Sequence, residues 1–264
     1  MDVKLTWETL SASLTTALLG HTLYMYPSTD STNSRAVELA QAGTPDGTLV
    51  LTDEQTVGRG RLGRKWLAPP GSSLLLSLVL HPNLQPRQIQ RLAMITSLAS
   101  CRAIRKITGL EVRVKWPNDL QISGCKVGGM LCEAGLSGQR LAFVVVGLGI
   151  NVNLSPANLG QLLTPATSLS HELGHEVERL PLLCALLEDL EIAYLRLSSG
   201  WLPHEVWRNH LATLGQQVQV GVPDQVITGL AEDVDADGAL LVRQSDGSLA
   251  TILAGDVTLR GHSL

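Results

Sequence analysis

Between a β-rich stretch at Thr48–Thr52 and a continuous apolar run of strand length, Ser73–Leu80, the chain carries Gly58-Arg59-Gly60-Arg61-Leu62-Gly63-Arg64-Lys65-Trp66. Four cations and three glycines within nine residues exclude a buried helix or strand here and require a loop. Glycines let such a loop bring its amides against a ligand, and arginines supply planar forks that match carboxylate or phosphate. In a chain of formal net charge −4, this local inversion points to an anionic ligand. An isolated run of this kind is more often a solvated basic loop, so the surrounding sequence has to decide.

The flanking patterns describe an α+β protein. Leu10, Leu14 and Leu18 recur at four-residue steps and predict a helix within residues 1–20. Ser31 or Thr32 is placed to cap a second helix through Ala36, Val37, Leu39 and Ala40, ending near Gly43. A third is expected over Arg91–Ile107, a fourth over Leu180–Leu197 up to Ser198-Ser199-Gly200, and a fifth over Pro203–Leu214. Short strands are expected at Val112–Val114, Leu120–Ser123, Gly128–Ala134 and Ala142–Leu148, giving a mixed β-sheet with helices on one face. After Gly215 the texture changes. Val218, Val220 and Val222 alternate, and Asp237-Gly238 and Asp246-Gly247 are turn signals between short β-rich runs, as in a small β-barrel.

Composition removes several classes. The slightly acidic balance argues against general affinity for nucleic acid, which needs a basic surface to displace counterions. Residues 1–20 lack the basic start and apolar run of a secretory signal, and no stretch approaches the roughly 20 apolar residues of a membrane span. A cytoplasmic protein is expected. Cys101, Cys125, Cys132 and Cys184 show no Cys-x-x-Cys spacing, so neither a zinc knuckle nor a redox pair is read from them, and Cys125 is notable only for its neighbour Lys126.

Further motifs stand in a fixed order around the basic loop. Asp30-Ser31-Thr32-Asn33 and Glu54-Gln55 precede it; Lys115-Trp116-Pro117-Asn118-Asp119, Lys126-Val127-Gly128-Gly129-Met130-Leu131 and Gly147-Leu148-Gly149-Ile150-Asn151-Val152-Asn153 follow. Together, from about Tyr26 to the C-terminus, they resemble the biotin protein ligases. The resemblance implies a mixed β-sheet catalytic domain of the biotin/lipoate ligase type over residues 1–214 and a C-terminal SH3-like β-barrel over 215–264. Motifs that begin near residue 30 leave no room for the winged-helix DNA-binding domain of repressor-type members, so the short form is expected, and a sheet-edge homodimer follows by analogy. The implied reaction joins biotin to ATP, with Mg²⁺, as biotinyl-5′-adenylate and pyrophosphate, then transfers biotin to a lysine of a biotin carboxyl carrier protein.

That chemistry sets three physical tasks. A bicyclic acid with a polar ureido end needs polar partners at the end of an apolar pocket, and Ser31, Thr32, Asn33 and Gln55 supply them. Two anions must approach at the α-phosphorus, which fixed cations in a water-poor site make easier. Lys126, Arg59 and Arg61 are the catalytic choices, with Lys126 bridging the biotin carboxylate and the α-phosphate, and Gly60, Gly128 and Gly129 allowing close approach. Arg64, Lys115, Asn118, Asp119 and Asn151 are expected to face the nucleotide, Asp119 being also a candidate Mg²⁺ ligand and a candidate to orient or deprotonate the attacking lysine. The adenylate must finally be kept from water by the loop. Trp66 is read either as an adenine stacker or as core, and Thr167-Ser168-Leu169 as the loop on the adenine side.

Two enzymatic rivals share parts of the pattern. A lipoate or octanoate ligase or transferase would use the same fold, but the basic loop with Gln55 favours biotin. His171-Glu172-Leu173-Gly174-His175 matches the His-Glu-x-x-His pattern of zinc hydrolases, although Gly174 weakens the helix that pattern needs by ~1 kcal/mol.

Overall fold

The computed structural model describes residues 5–66, 68–159, 165–222 and 225–259; the outermost residues of both expected domains lie outside this range. A seven-stranded mixed sheet is built from β1 (Leu23–Thr29), β2 (Thr48–Gln55), β3 (Ser73–Leu80), β4 (Arg113–Lys115), β5 (Asp119–Ile122), β6 (Cys125–Ser137) and β7 (Arg140–Asn151). Its order is β1-β2-β3-β7-β6-β5-β4, with β1 and β2 parallel and every other pair antiparallel. The helices are α1 (Trp7–Ser13), α2 (Thr32–Gln41), α3 (Gln90–Thr108), α4 (Pro156–Leu159), α5 (Leu169–Leu173), α6 (Arg179–Ser198) and α7 (His204–Arg208).

The two-residue period of the strands divides the sheet into two chemically different faces. Leu74, Leu76, Leu78 and Leu80 of β3 and Val144, Val146, Leu148 and Ile150 of β7 join α3 and α6 in the main core. The alternate positions Val50, Val79, Phe143 and Val145 pack under Ala36 and Ala40 of α2. The expectation of helices on one face is therefore corrected: α3 and α6 cover one face and α2 covers part of the other. β1 was not legible in the sequence because Pro27 interrupts it; an edge strand tolerates the missing N–H.

The second sheet consists of β8 (Gln217–Val222), β9 (Gln225–Val234), β10 (Leu240–Arg243), β11 (Leu249–Ile252) and β12 (Asp256–Leu259), in the antiparallel order β11-β10-β9-β8-β12. β11 and β12 occupy opposite edges, yet only residues 253–255 join them. Four spacings of roughly 4.8 Å would put the edges of a flat sheet about 19 Å apart, while four residue steps reach at most about 14 Å. The sheet must curl to bring its edges together, as the expected small barrel does. Both predicted turns are present, with Gly238 at φ +89° and Gly247 at φ +84°.

Trp116 ties the two sheets together. It is 1% exposed, its amide donates to Thr213 Oγ1 at 2.9 Å, and its indole Nε1 donates to Gly238 O at 2.8 Å. Arg91 of α3 pairs with Asp237 in the same turn at 2.6 Å.

Two helices are shorter than expected. α7 stops at Arg208, after which Val114 N and Ala212 N exchange bonds with His210 O and Val114 O, adding the 210–212 segment to the edge of the sheet at β4. α1 stops at Ser13 because the amides of Ala17, Leu18 and Leu19, which a continuing helix would use, donate instead to the Glu191 carboxylate at 2.7 to 2.8 Å. Burial alone would raise the Glu191 pKa, but these three amide bonds prevail and hold it below the ordinary carboxylate value. A depressed folded-state pKa gives stability that is present above the unfolded value of about 4.3 and is lost as pH falls through the folded value. Glu191→Gln should lower stability by about 1.5–3 kcal/mol at pH 7 in urea unfolding, and the gap from the unaltered protein should close on acidification below about pH 4.

Candidate active site

On the face of the sheet shared with α2, side chains disappear where the basic loop and the start of α2 approach. β7 carries Phe143 and Val145 under α2, then Gly147 and Gly149. A Cβ at Gly147 would lie 2.0 Å from Asn33 Oδ1, and one at Gly149 would lie 2.7 Å from the Trp66 ring. Gly129 of β6 pairs with Gly149, and its missing Cβ leaves room for Asp119 Oδ1 at 3.1 Å and Lys126 Nζ at 3.2 Å. These three glycines make the floor of a continuous site.

One end of that floor is a buried polar cluster. Ser31, Thr32 and Asn33 are 3 to 4% exposed at the start of α2. Gln55 Oε1 accepts from the Thr32 amide at 2.8 Å and from the Thr32 hydroxyl at 3.2 Å, which leaves Nε2 towards Gly58. Ser77 Oγ lies 2.6 Å from Asn33 Oδ1 and 2.8 Å from Thr32 Oγ1, and Asn33 Nδ2 donates to Glu133 Oε2 at 2.6 Å. Ser31 stands at the N-cap position of α2, but its side chain makes no cap bond, so capping does not explain it.

The basic loop returns on itself as a narrow excursion. Trp66 N donates to Gly58 O at 2.9 Å and Gly60 N to Arg64 O at 2.7 Å, with a short 3₁₀ turn, Arg61–Gly63, at the tip. Gly58 is required by close approach, since a Cβ there would meet Trp66 O at 2.5 Å. Trp66 lies against Gly149 with Lys126 Nζ 5.6 Å from its ring centroid, and its buried indole Nε1 has no hydrogen-bond partner among the described residues. Trp66 is thus a wall of the site.

Three of the four loop cations, Arg59, Arg61 and Arg64, have side-chain partners. Arg59 donates to Ser34 Oγ at 3.2 Å and lies 3.5 Å from Glu133. Arg61 donates to Asn118 Oδ1 at 3.2 Å, and burial pulls its guanidinium below its ordinary value, opposed by Asp119 and Asp256. Arg64 turns away from the glycine floor to Asp256 of β12. Lys126 Nζ donates to Asp119 Oδ1 at 2.6 Å. Lys115 pairs with Asp119 across β4 and β5 and so shares its face. Asn151, 3% exposed, commits its Nδ2 to Thr167 O at 3.0 Å.

The sequence reading missed Ser77 and Glu133. A signal for Ser77 existed, because a hydroxyl in the middle of the apolar run Leu74–Leu80 needs a partner once buried. The zinc reading is corrected. α5 ends at Leu173 with Gly174 in the left-handed region at φ +77°, so His175 lies outside the helix and shares no helical face with His171. Glu172 accepts instead from Thr167 Oγ1. Cys132 and Cys101 are pushed up to about 12 by burial, which makes them inert thiols at neutral pH.

Comparison with known proteins agrees with this geometry. Residues 25–151 match the biotin/lipoate A/B protein ligase family, and residues 213–260 match the biotin protein ligase C-terminal domain. The chain is 31% identical over 259 residues to the bifunctional ligase/repressor BirA of Bacillus subtilis, covering 97% of this chain and 79% of that protein. The chain belongs to the biotin protein ligase family. Another relative in this ligase family, the biotin–[acetyl-CoA-carboxylase] ligase of Paracoccus denitrificans, is 34% identical over 84% of this chain and 95% of its own length. Among solved structures, the biotin protein ligase of Aquifex aeolicus in complex with biotin and ATP superposes with a TM-score of 0.74 at 29% identity, covering 91% of this chain and 99% of that one.

The glycine floor is testable without a ligand. Gly147→Ala should destabilise the fold by about 1–3 kcal/mol in urea unfolding, because Asn33 is pinned by Ser77 and Glu133 and cannot yield. Gly221→Ala, where the nearest atom lies 4.0 Å away, is the control and should stay within about 0.5 kcal/mol.

Proposed function

We propose that this protein is an ATP-dependent biotin protein ligase, which activates biotin as biotinyl-5′-adenylate with release of pyrophosphate and then transfers biotin to a lysine of a biotin carboxyl carrier protein. The observation that carries this reading is the placement of Lys126 and Arg61 at one end of the glycine floor and of the Thr32–Gln55 cluster at the other. An acid whose opposite end is a polar bicycle suits such a site.

At the polar end, Gln55 Nε2 and the hydroxyls of Ser31 and Thr32 are the groups for the ureido ring, with Asn33 held behind them by Ser77 and Glu133. At the charged end, Lys126 serves as a fixed cation between the biotin carboxylate and the α-phosphate, exchanging Asp119 for substrate oxygens. Arg61 offsets the charge that gathers as the two anions meet, and because Asn118 already holds it, it reorganises little as the reaction proceeds. Arg59, held by Ser34 and Glu133 beside the polar end, has to leave those partners to join it. Gly60 and Gly129 keep side chains out of the path, and Lys115 and Asn118 add to the nucleotide end. Two expected site residues are corrected: Gly128 faces the core, where a Cβ would meet Leu120 and Ile150, because neighbouring strand residues take opposite faces, and Arg64 is drawn off to Asp256. The loop from Gly58 to Trp66 covers the adenylate and limits hydrolysis.

For Mg²⁺, Asp119 is the carboxylate that would hold it. Among the described residues no group of three His, Cys, Asp or Glu side chains forms a metal cage. That donor set suits an ion held mainly by phosphate oxygens and water, whose contribution when bound is to neutralise phosphate charge. Asp119 is also the candidate to orient or deprotonate the attacking lysine of the carrier. Residues 1–214 act as the catalytic domain and 215–264 as the C-terminal domain, a division supported by the two separate sheets. No helix among the described residues is long and apolar enough to cross a membrane. The cytoplasm, where ATP and the carrier are found and where four free thiols persist, is the proposed location.

The test is pyrophosphate release from ATP and Mg²⁺ with biotin, lipoate or octanoate. Release with biotin alone is expected; release with lipoate or octanoate instead would move the assignment to the sister activity. Lys126→Ala should lower the rate by at least about a hundredfold with an unchanged circular dichroism spectrum, and a near-normal rate would remove Lys126 from its role.

A further inference from the structure

β7 ends at Asn151, so β6 loses its neighbour on that side just where it reaches Lys126. A short segment, 165–167, takes the place of the missing strand. Lys126 N donates to Pro165 O at 2.9 Å, Thr167 N donates to Lys126 O at 2.8 Å, and Asn151 Nδ2 donates to Thr167 O at 3.0 Å. Thr167 therefore fixes both the main chain of Lys126 and the side chain of Asn151. It is 2% exposed, and its buried hydroxyl needs an acceptor.

That acceptor is Glu172, the residue that matched the metal-binding pattern in the sequence and that the reaction described above does not use. Its Oε1, in the first turn of α5, accepts a hydrogen bond from the Thr167 hydroxyl, while Ser168 caps the same helix by accepting from His171 N at 3.2 Å and donates to Leu154 O at 2.8 Å. A hydrogen bond to a carboxylate is shorter and stronger than one to a neutral acceptor, and an acidic group near a helix N-terminus is also favoured by the helix dipole.

We propose that Glu172 is a positioning residue for adenylation, holding Thr167 and through it Lys126 and Asn151 in register with the glycine floor. The inference rests on the reading of Lys126 as the bridging cation, and it deepens that reading. A shift of this kind, remote from the reacting atoms, acts on the rate more than on substrate affinity, because biotin is held mainly at the Thr32–Gln55 end.

Glu172→Ala should reduce kcat for biotin-dependent pyrophosphate release by about tenfold or more, with the KM for biotin changed less than about twofold and the Tm lowered by no more than about 6 °C, as the loss of one side-chain hydrogen bond allows. Glu172→Gln, which can still accept the hydroxyl, should recover most of the loss, whereas Thr167→Val should reproduce it. Amide hydrogen exchange reads the same brace without any reaction: Lys126 and Thr167 should exchange about tenfold faster in Glu172→Ala, as a local opening becomes easier. Unchanged kcat and unchanged exchange in Glu172→Ala would overturn the inference, as would a Gln variant no better than Ala. If the unaltered protein released no pyrophosphate with biotin, the ligase reading would fail, and the exchange result would still decide whether Glu172 holds the Lys126 strand.

Discussion

Asn33 precedes the basic loop and Trp66 closes it, yet both press against one strand, β7, at positions where any side chain would exclude them. A Cβ at 147 would overlap the Asn33 amide and a Cβ at 149 the Trp66 ring. The bare backbone there sets how closely α2 and the loop approach the sheet. It thereby brings Thr32, Gln55 and Ser77 together at one end and Lys126, Asp119 and Arg61 at the other. Gly129, paired with Gly149 on the neighbouring strand, extends the same floor beneath Asp119 and Lys126.

Charge is arranged around that floor with the same economy. Arg59, Arg64 and Lys126 each face a protein carboxylate, Glu133, Asp256 and Asp119 respectively. Side chains with long rotamer-rich stems are thus held near their working positions before an anionic substrate arrives, which lowers the entropy that binding must overcome. The Arg59 and Arg64 pairs are largely exposed and contribute little to stability. Their value lies in orientation. Arg64 also joins the basic loop to β12, so the C-terminal sheet borders the site.

How far the sequence could be read depended on whether the cause was local. The apolar run Ser73–Leu80, the helix over Arg91–Ile107 and the Asp237-Gly238 turn were legible because strand alternation, helical period and positive φ are properties of a few consecutive residues. The expected helix through residue 20 was not realised beyond Ser13, because the competing acceptor, Glu191, is more than 170 residues away. Glu133 and Ser77 escaped notice for the same reason, since their partner Asn33 lies on a different element.

The sequence by itself determined the class of fold, the run of motifs that places the chain among the biotin protein ligases, and the residue types that bear charge and polarity for the site. Side-chain chemistry and short-range spacing are written directly in the residue order. The tertiary structure decided which of those residues meet. It paired Lys126 with Asp119, sent Arg64 towards Asp256 rather than the glycine floor, ended α5 before His175, and gave Glu172 to Thr167. Each outcome depends on strand order and on which face a residue takes across a seven-stranded sheet, and such contacts between distant segments follow from the packing of the whole core rather than from any local stretch of sequence.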